Sequence, residues 1–247
     1  MKKRNYPYLL PLLFGLACFI IWGFTNVTGT PTKNVSLDFT SRILENGKYI
    51  TVTGEVYYNV PEKRMTTHLT TPFENITIVN STGEMKIYDP KDNSVVYSTS
   101  DVNSSESSYF HHFFNNSVSD MGLQKLGYKI IDTKIDEGMF VTWWMPKEPA
   151  GNPIKRIELA HLKSNIAYMG IISQKEKPLG KVFFSKYEKV GSFNVPLLIT
   201  EFGYNAKNDS TITKKVYSNP KINEQVNVKY LDYKIPANAK VVKIKSK

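Results

Sequence analysis

The chain has four histidines, the side chains that most often hold a metal ion or move a proton near neutral pH. Two of them, His111 and His112, are adjacent, so on a helix they would point about 100° apart and would not form the i, i+4 pair of a helical metal site. The other two, His68 and His161, are far away in the sequence. The sequence therefore predicts no metal site, and it shows no motif for a cofactor.

Residues that could act as nucleophile or as acid and base do not form a recognisable pattern. Gly191-Ser192-Phe193 lacks the second glycine of a nucleophile elbow, and no phosphate-binding glycine loop occurs. Asp132 and Asp136 bracket a predicted strand and Glu137 follows, which is typical of solvated strand ends rather than of a glycosidase pair in one cleft. We therefore expect a protein that is not an enzyme. A hydrolase with a dispersed active site is the weakest alternative.

The composition is that of a basic protein with a substantial core. The 247 residues include 32 Lys and Arg against 22 Asp and Glu, a formal net charge of +10, and 41% of them are hydrophobic. Only four of the basic residues are Arg, the residue favoured in phosphate and base recognition, and the basic residues are scattered. We therefore expect no nucleic-acid partner, whereas attraction to an anionic membrane surface fits the charge. A single cysteine, Cys18, excludes a disulfide framework.

Residues 1–27 have the pattern of a targeting segment. Three basic residues open the chain, and an uncharged, mostly apolar run follows from Tyr8 to Phe24. Cleavage after Val27-Thr28-Gly29 and retention as an N-terminal membrane anchor both remain open, because extension to Val27 approaches the roughly 20 residues that cross a bilayer. Lipidation of Cys18 is a third interpretation. All three place the protein in the cell envelope, in the periplasm or on the extracytoplasmic face of the membrane.

The remaining chain reads as a polar tether, residues 28–35, followed by one β domain, residues 36–247. From Tyr49 to Tyr97, short β-type segments alternate with turn residues, which predicts an antiparallel meander. The same pattern returns from Tyr128 and ends with a segment at Asn223–Ile235. Some twelve or thirteen strands with short connections predict one antiparallel sheet, strongly curved or closed. The lysine-rich tail, Ala237–Lys247, suits a last edge strand.

Three helices are predicted among these strands. Ser36–Asn46 has an N-cap residue, helical apolar spacing and a closing Asn-Gly pair. Ser105–Asn115 and Ser119–Leu126 interrupt the β pattern, and the first of them carries four aromatic residues between positions 109 and 114. That aromatic stripe has two interpretations: a helix face packed on the sheet, or an apolar lid over a cavity.

The order and spacing of several motifs resemble those of LolA-type outer-membrane lipoprotein carriers and their relatives, the lipoprotein-sorting proteins. The resemblance covers residues 36–240 and rests on Gly54-x-Val56-x-Tyr58, Met65-x-x-x-Leu69, Pro72, Asn80-x-x-Gly83-x-Met85-x-Ile87-Tyr88-Asp89-Pro90-x-x-Asn93-x-Val95, Gly191-x-Phe193-x-Val195-Pro196 and Tyr230-x-Asp232-x-x-Ile235-Pro236-x-x-Ala239. It implies an open, incomplete antiparallel β-barrel whose short helices form a lid. It also implies that the apolar concave face binds acyl chains of a lipid or lipoprotein, in lipoprotein sorting or lipid transfer.

Strand alternation then suggests which side chains line the concave face, although a shift of one residue would invert any strand. The candidate ligand contacts are Tyr58, Leu69, Ile78, Ile87, Phe110, Phe113, Trp143, Tyr168, Phe184 and Ile199. Trp143 and Trp144 point to opposite faces of one strand, so at most one lines a cavity. We expect a monomer. The alternative function is a non-catalytic structural or adhesion module of the envelope that binds a protein partner through an edge strand.

Overall fold

The structure, a computed structural model, describes residues 30–45, 47–99, 105, 108–204 and 210–243. The predicted targeting segment, residues 1–27, lies outside the described residues. Within the described part of the chain, no helix has the length and hydropathy needed to span a membrane.

Fourteen strands form one sheet: β1 Asn34–Glu45, β2 Lys48–Asn59, β3 Arg64–Thr71, β4 Asn75–Val79, β5 Glu84–Asp89, β6 Ser94–Thr99, β7 Tyr128–Asp136, β8 Met139–Pro146, β9 Ile154–Leu162, β10 Asn165–Ser173, β11 Pro178–Val190, β12 Phe193–Tyr204, β13 Ser210–Ile222 and β14 Lys240–Val242. The described residues also form two short α-helices, α1, Tyr109–Phe114, and α2, Val228–Leu231, and a 3₁₀ turn at Asn223–Gln225.

The sheet is open, with β14 at one end and β7 at the other. Strands β2 to β6 form one meander and β7 to β13 another, and all these neighbours are antiparallel. Strand β1 lies between the two meanders and pairs with both β2 and β13. The predicted fold class, one large curved antiparallel sheet that remains open and carries short helices, is confirmed.

The predicted helix at Ser36–Asn46 is wrong, because these residues belong to β1. The helical spacing of its apolar residues is a coincidence. In the strand, Val35 and Leu37 point to the same face and are both 1% exposed, as a period of two requires. Strand β1 starts at Asn34, inside the stretch that the sequence suggests as a tether.

The predicted helix at Ser119–Leu126 is also wrong, because that segment is a series of turns. The Asp120 carboxylate accepts the N–H groups of Gly122 and Gln124, and Met121 and Gly122 have positive φ angles of 48° and 76°. Two successive residues with positive φ cannot continue a right-handed helix. The helix predicted at Ser105–Asn115 exists in shorter form as α1.

The expected last strand at Asn223–Ile235 does not form; the 3₁₀ turn and α2 occupy its place. Residues 223–239, here named the C-terminal strap, cross the outside of the first meander. The strap's Tyr230, Tyr233, Ile235 and Ala239 pack on a cluster of buried strand residues: Ile76, Ile78, Tyr88 and Val95. After the strap, β14 adds to β6 in parallel as a short exposed edge strand, where the tail was expected to form one.

The two faces of the sheet are therefore covered by different segments. We name the face under α1 the concave face and the face under the strap the convex face. The main core lies on the concave face, where helix α1 packs on side chains from both meanders and from β1. Strand register assigns each remaining residue to a face, because directly paired residues share one.

Candidate functional site: the concave face under helix α1

Helix α1 is almost entirely buried, which is unusual for a connection between two meanders. Ser108 caps its first turn, with its side-chain oxygen accepting the N–H of Phe110 at 3.3 Å. Four of its six side chains are buried: Phe110, His112, Phe113 and Phe114. A helix of this length is not stable alone in water, so its place is set by packing against the sheet.

The rings of α1 fill the centre of the concave face. Three ring pairs join the helix to strands of both meanders at centroid distances of 5.0, 5.4 and 5.8 Å: Phe110 with Tyr217, Phe114 with Tyr58, and Phe113 with Phe184. Most of the ring pairs are tilted or edge-to-face, the geometry that aromatic pairs prefer. Helix α1 therefore packs on the sheet, as the first interpretation of the aromatic stripe predicts, and it covers part of the concave face.

A polar contact fixes α1 to the sheet at the buried hydroxyl of Tyr58, a residue that is 1% exposed. Its oxygen accepts the side-chain N–H of Asn115 at 3.1 Å and lies 3.0 Å from Nδ1 of His111. Asn115 also donates to the carbonyl oxygen of His111 at 2.8 Å, which closes the end of the helix. Tyr58 therefore orients the helix as well as packing against it.

Seven of the ten sequence-predicted contacts lie on the concave side. Five belong to the core around α1: Tyr58, Phe110, Phe113, Phe184 and Ile199. Two more, Leu69 and Ile87, are half-buried and share the face through the registers Gly54–Leu69 and Thr77–Ile87. They form a less covered part of the concave face on the first meander.

The other three predicted contacts lie on the convex face, where the strand register corrects their predicted orientation. Ile78 is buried under the strap. Trp143 lies against Arg156, whose guanidinium carbon is 5.2 Å from the ring centroid, and Tyr168 packs on Phe183 at 5.2 Å. The inward tryptophan is Trp144, 2% exposed. The two tryptophans are adjacent and chemically identical, so only the strand register shows which of them points inward.

The sequence-predicted contacts omit Phe114 of α1 and two sheet residues that contact the helix: Phe193, which packs on Phe114, and Tyr217, which packs on Phe110. Phe114 lies in the same aromatic run as the predicted Phe113, so the run itself was a signal. Tyr217 follows Val216 and precedes Ser218, so two adjacent apolar side chains compete for the inward position, and only the register of β13 shows that Tyr217 takes it. Tyr217 is 8% exposed, whereas Val216 is 42% exposed.

Among the described residues, an ion pair lies on the concave face near α1. Lys215 on β13 donates to a carboxylate oxygen of Glu201 on β12 at 2.8 Å. Burial raises the pKa of Tyr217, and the negative charge of Glu201 raises it further. The pKa of Tyr109 on α1 is raised by the same two causes in the same order.

The buried tyrosines predict a loss of stability in alkali. In the unfolded chain a tyrosine ionises near its ordinary pKa of about 10, whereas Tyr217 stays neutral in the fold. The raised pKa therefore leaves stability intact below about pH 10 and removes about 1.4 kcal/mol per pH unit above it. Denaturant unfolding followed from pH 8 to about pH 11 checks this. The Tyr217→Phe variant should lose stability less steeply, and an unchanged slope would contradict the assignment.

The histidines have local structural contacts. Nε2 of His161 lies 3.0 Å from the carbonyl oxygen of Val118, and Nδ1 of His112 lies 3.1 Å from the Ser117 hydroxyl. His68 stacks on the strap residue Tyr230 with centroids 4.3 Å apart. Among the residues described, no three His, Cys, Asp or Glu side chains gather in a group that could hold a metal ion.

Two hollows adjoin these packed surfaces. One of about 200 Å³ lies at the end of α1, between Phe113, Ile166 and Tyr187. The other, about 380 Å³, lies on the convex side between the strap and β3 to β6, where Arg64 and Lys234 both pair with Asp232 of the strap. Pockets for drug-sized ligands usually hold about 300–1,000 Å³. The hollow beside α1 is smaller than this range.

The fold resembles those of several solved structures. A DUF1329 family protein from Desulfovibrio piger has a TM-score of 0.54 with 15% identity, covering 90% of this chain and 97% of that chain. A putative outer membrane lipoprotein-sorting protein domain from Vibrio parahaemolyticus also has a TM-score of 0.54, with 9% identity over 81% and 89% of the two chains. A LolA superfamily protein from Nitrosomonas europaea has a TM-score of 0.53, with 8% identity over 82% and 91%. The sequence itself matches no family model and no curated protein. At these identities the likeness establishes a shared fold.

Proposed function

We propose that this chain is an envelope protein that binds an acyl chain of a lipid or lipoprotein on its concave face, in lipoprotein sorting or lipid transfer. The observation that carries the proposal is helix α1, whose aromatic side chains occupy the concave face of an open sheet. Solved structures of the same fold include a lipoprotein-sorting domain and a LolA superfamily protein, which supports this class of function.

The physical basis is the area that α1 covers. The concave face is apolar across β1, β2, β11 and β12, and water would reach it if α1 moved away. An acyl chain can replace the helix there, because each CH₂ group removed from water contributes about 0.8 kcal/mol. Helix α1 and the ligand would then compete for one surface, and the closed arrangement is the ligand-free form.

The half-buried residues Leu69 and Ile87 give this proposal a direct test. Each lies on the concave side without being fully buried, so a lysine there places a charge on the binding face while the head group can still reach water. Trp143 and Tyr168 are matched controls, because they are also half-buried but lie on the convex face. All four substitutions are Lys replacements, so net charge changes equally.

The experiment is native mass spectrometry of the domain from Thr30 onward, purified gently from its own envelope, followed by organic extraction. We expect a co-purifying lipid in the natural protein and in Trp143→Lys and Tyr168→Lys. We expect its loss in Leu69→Lys and Ile87→Lys, with far-UV circular dichroism unchanged. A clean apo mass together with no uptake of added palmitate or lipopeptide would refute acyl binding.

The alternative function, a non-catalytic interaction module of the envelope, is favoured by one observation. Strand β7 ends the sheet and is exposed over nearly its whole length, with a burial pattern in which only Tyr128 is covered. An open edge strand is a template for a further strand.

A further inference from the structure

Strand β7 offers an open edge next to exposed apolar side chains. It is the last strand of the sheet, and every residue from Lys129 to Gly138 is exposed. Three isoleucines of β7 and one phenylalanine of β8 are large hydrophobic residues with much of their surface in water: Ile130 47%, Ile131 46%, Ile135 81% and Phe140 50%. Natural edge strands usually avoid such a surface unless something covers it.

The hairpin between β7 and β8 determines which backbone groups point outward. Its turn is Glu137–Gly138, with φ angles of 48° and 77°, and Asp136 pairs directly with Met139. The pair that flanks a two-residue turn is hydrogen-bonded, and hydrogen-bonded pairs alternate along the ladder. The N–H and C=O of Thr133 therefore point to the free edge. The hydrogen bond of the Thr133 N–H group is consistent with this direction, because the group donates to the adjacent Asp132 carboxylate at 2.8 Å.

We propose that β7 pairs in antiparallel fashion with β7 of a second copy of this chain, about a two-fold axis at Thr133. In this register Thr133 hydrogen-bonds its own counterpart. Asp132 lies opposite Lys134 of the second copy, and Ile135 approaches the β-bulge of the second copy at Ile131, the residue that the β7–β8 register skips. Because the axis repeats each contact, two such charge pairs form. The proposed assembly is a dimer, whereas the sequence analysis expects a monomer.

Charge selects this register over its neighbours. A two-fold axis must pass through one residue of each strand, since antiparallel pairing alternates between two kinds of pair. An axis at Asp132 would place two aspartates opposite each other, and an axis at Lys134 would place two lysines together; both arrangements destabilise pairing. The axis at Thr133 instead places Asp132 opposite Lys134 of the second copy, so unlike charges meet.

The charges that would pair are accessible in the single chain. Lys134 donates to Asp136 at 2.7 Å, with side chains 47% and 52% exposed, and it lies 5.9 Å from the Trp143 ring. Such surface pairs exchange partners easily because each contributes little. The regularly paired stretch, Asp132–Lys134, is about 10 Å long. That is a small interface, so we expect a weak dimer that forms with rising concentration.

Single-cysteine cross-linking of the full chain in its membrane tests the register. In a Cys18→Ser background, Thr133→Cys should cross-link to itself on mild oxidation, because hydrogen-bonded antiparallel partners have Cα atoms about 5.5 Å apart, within disulfide range. Asp132→Cys and Lys134→Cys should cross-link about tenfold less alone and should cross-link to each other when co-expressed. Maleimide labelling confirms that all three thiols are accessible.

Charge reversal provides the second measurement. In the Thr133→Cys background, Asp132→Lys or Lys134→Asp alone should lower the cross-linked fraction about tenfold, because like charges then face each other. The double swap Asp132→Lys with Lys134→Asp should restore it. No cross-link at position 133, equal cross-linking at all three positions, or no recovery in the double swap would each overturn the proposal.

Discussion

Replacing Tyr230 with alanine is expected to lower the free energy of unfolding by about 3–5 kcal/mol, the usual cost of removing a packed aromatic ring. Tyr230 stacks on His68 at 4.3 Å, on Tyr57 at 5.5 Å and on Tyr233 at 6.0 Å. The contacts with His68 and Tyr57 join the strap to β3 and β2. Because a domain is stable by only about 5–15 kcal/mol, this single change would remove much of the total.

The loss should exceed what one ring contributes to a local contact, because the strap covers a whole cluster. Ile76 is 2% exposed and Val95 is 1% exposed beneath it, and both would meet water if the strap detached. We therefore expect a lower midpoint and also a smaller denaturant m-value, since part of the convex face would already be hydrated in the native state.

Tyr49→Ala is the matched control, because it also replaces a tyrosine, but Tyr49 lies in β2 and is 74% exposed. Urea unfolding of both variants, followed by tryptophan fluorescence and far-UV circular dichroism, measures the two free energies. A loss below about 1 kcal/mol in Tyr230→Ala, or an equal loss in Tyr49→Ala, would mean that the strap does not hold the first meander.

The sequence predicts the strands of this fold well because their signals are local. Turn residues and alternation are visible in any short stretch, and they locate the two meanders. Strand β4 shows what is not local. Ile76 and Ile78 alternate with Asn75 and Thr77, which indicates that the two isoleucines share a face, but the strap that covers this face comes from residues far along the chain. Val79 is buried on the opposite face, so burial alone does not distinguish the two sides.

The C-terminal strap differs from the strand predicted for Asn223–Ile235 for a related reason. Its apolar residues resemble those of a strand, and only contacts with the distant first meander decide otherwise. The motif Tyr230-x-Asp232-x-x-Ile235 that suggested the family resemblance has a structural explanation here. Tyr230 stacks on His68, Asp232 pairs with Arg64, and Ile235 packs on the buried cluster. These motif residues hold the strap, so they report on the fold rather than on a ligand.

Replacing Phe113 with alanine should destabilise the free protein by about 3–5 kcal/mol and at the same time improve acyl binding. Phe113 is 2% exposed, contacts Phe184 and Tyr187, and also borders the 200 Å³ hollow at the end of α1. Removing its ring joins that hollow to the space under the helix. If the concave face binds acyl chains, this enlarged space is one that palmitate can fill without displacing α1 completely.

Palmitate should therefore restore stability to Phe113→Ala, whereas it would not restore the stability lost by a core substitution away from the binding face. A ligand present at about 100 times its Kd adds about 2.7 kcal/mol to the apparent stability of the state that binds it. We expect palmitate to raise the Tm of Phe113→Ala more than that of the natural protein. Tyr88→Ala is the matched control: Tyr88 is 5% exposed in the strap cluster, away from α1, so its loss of stability should not be rescued. Equal rescue of both variants, or of neither, would mean that the rings of α1 fill a core and do not stand in for a ligand.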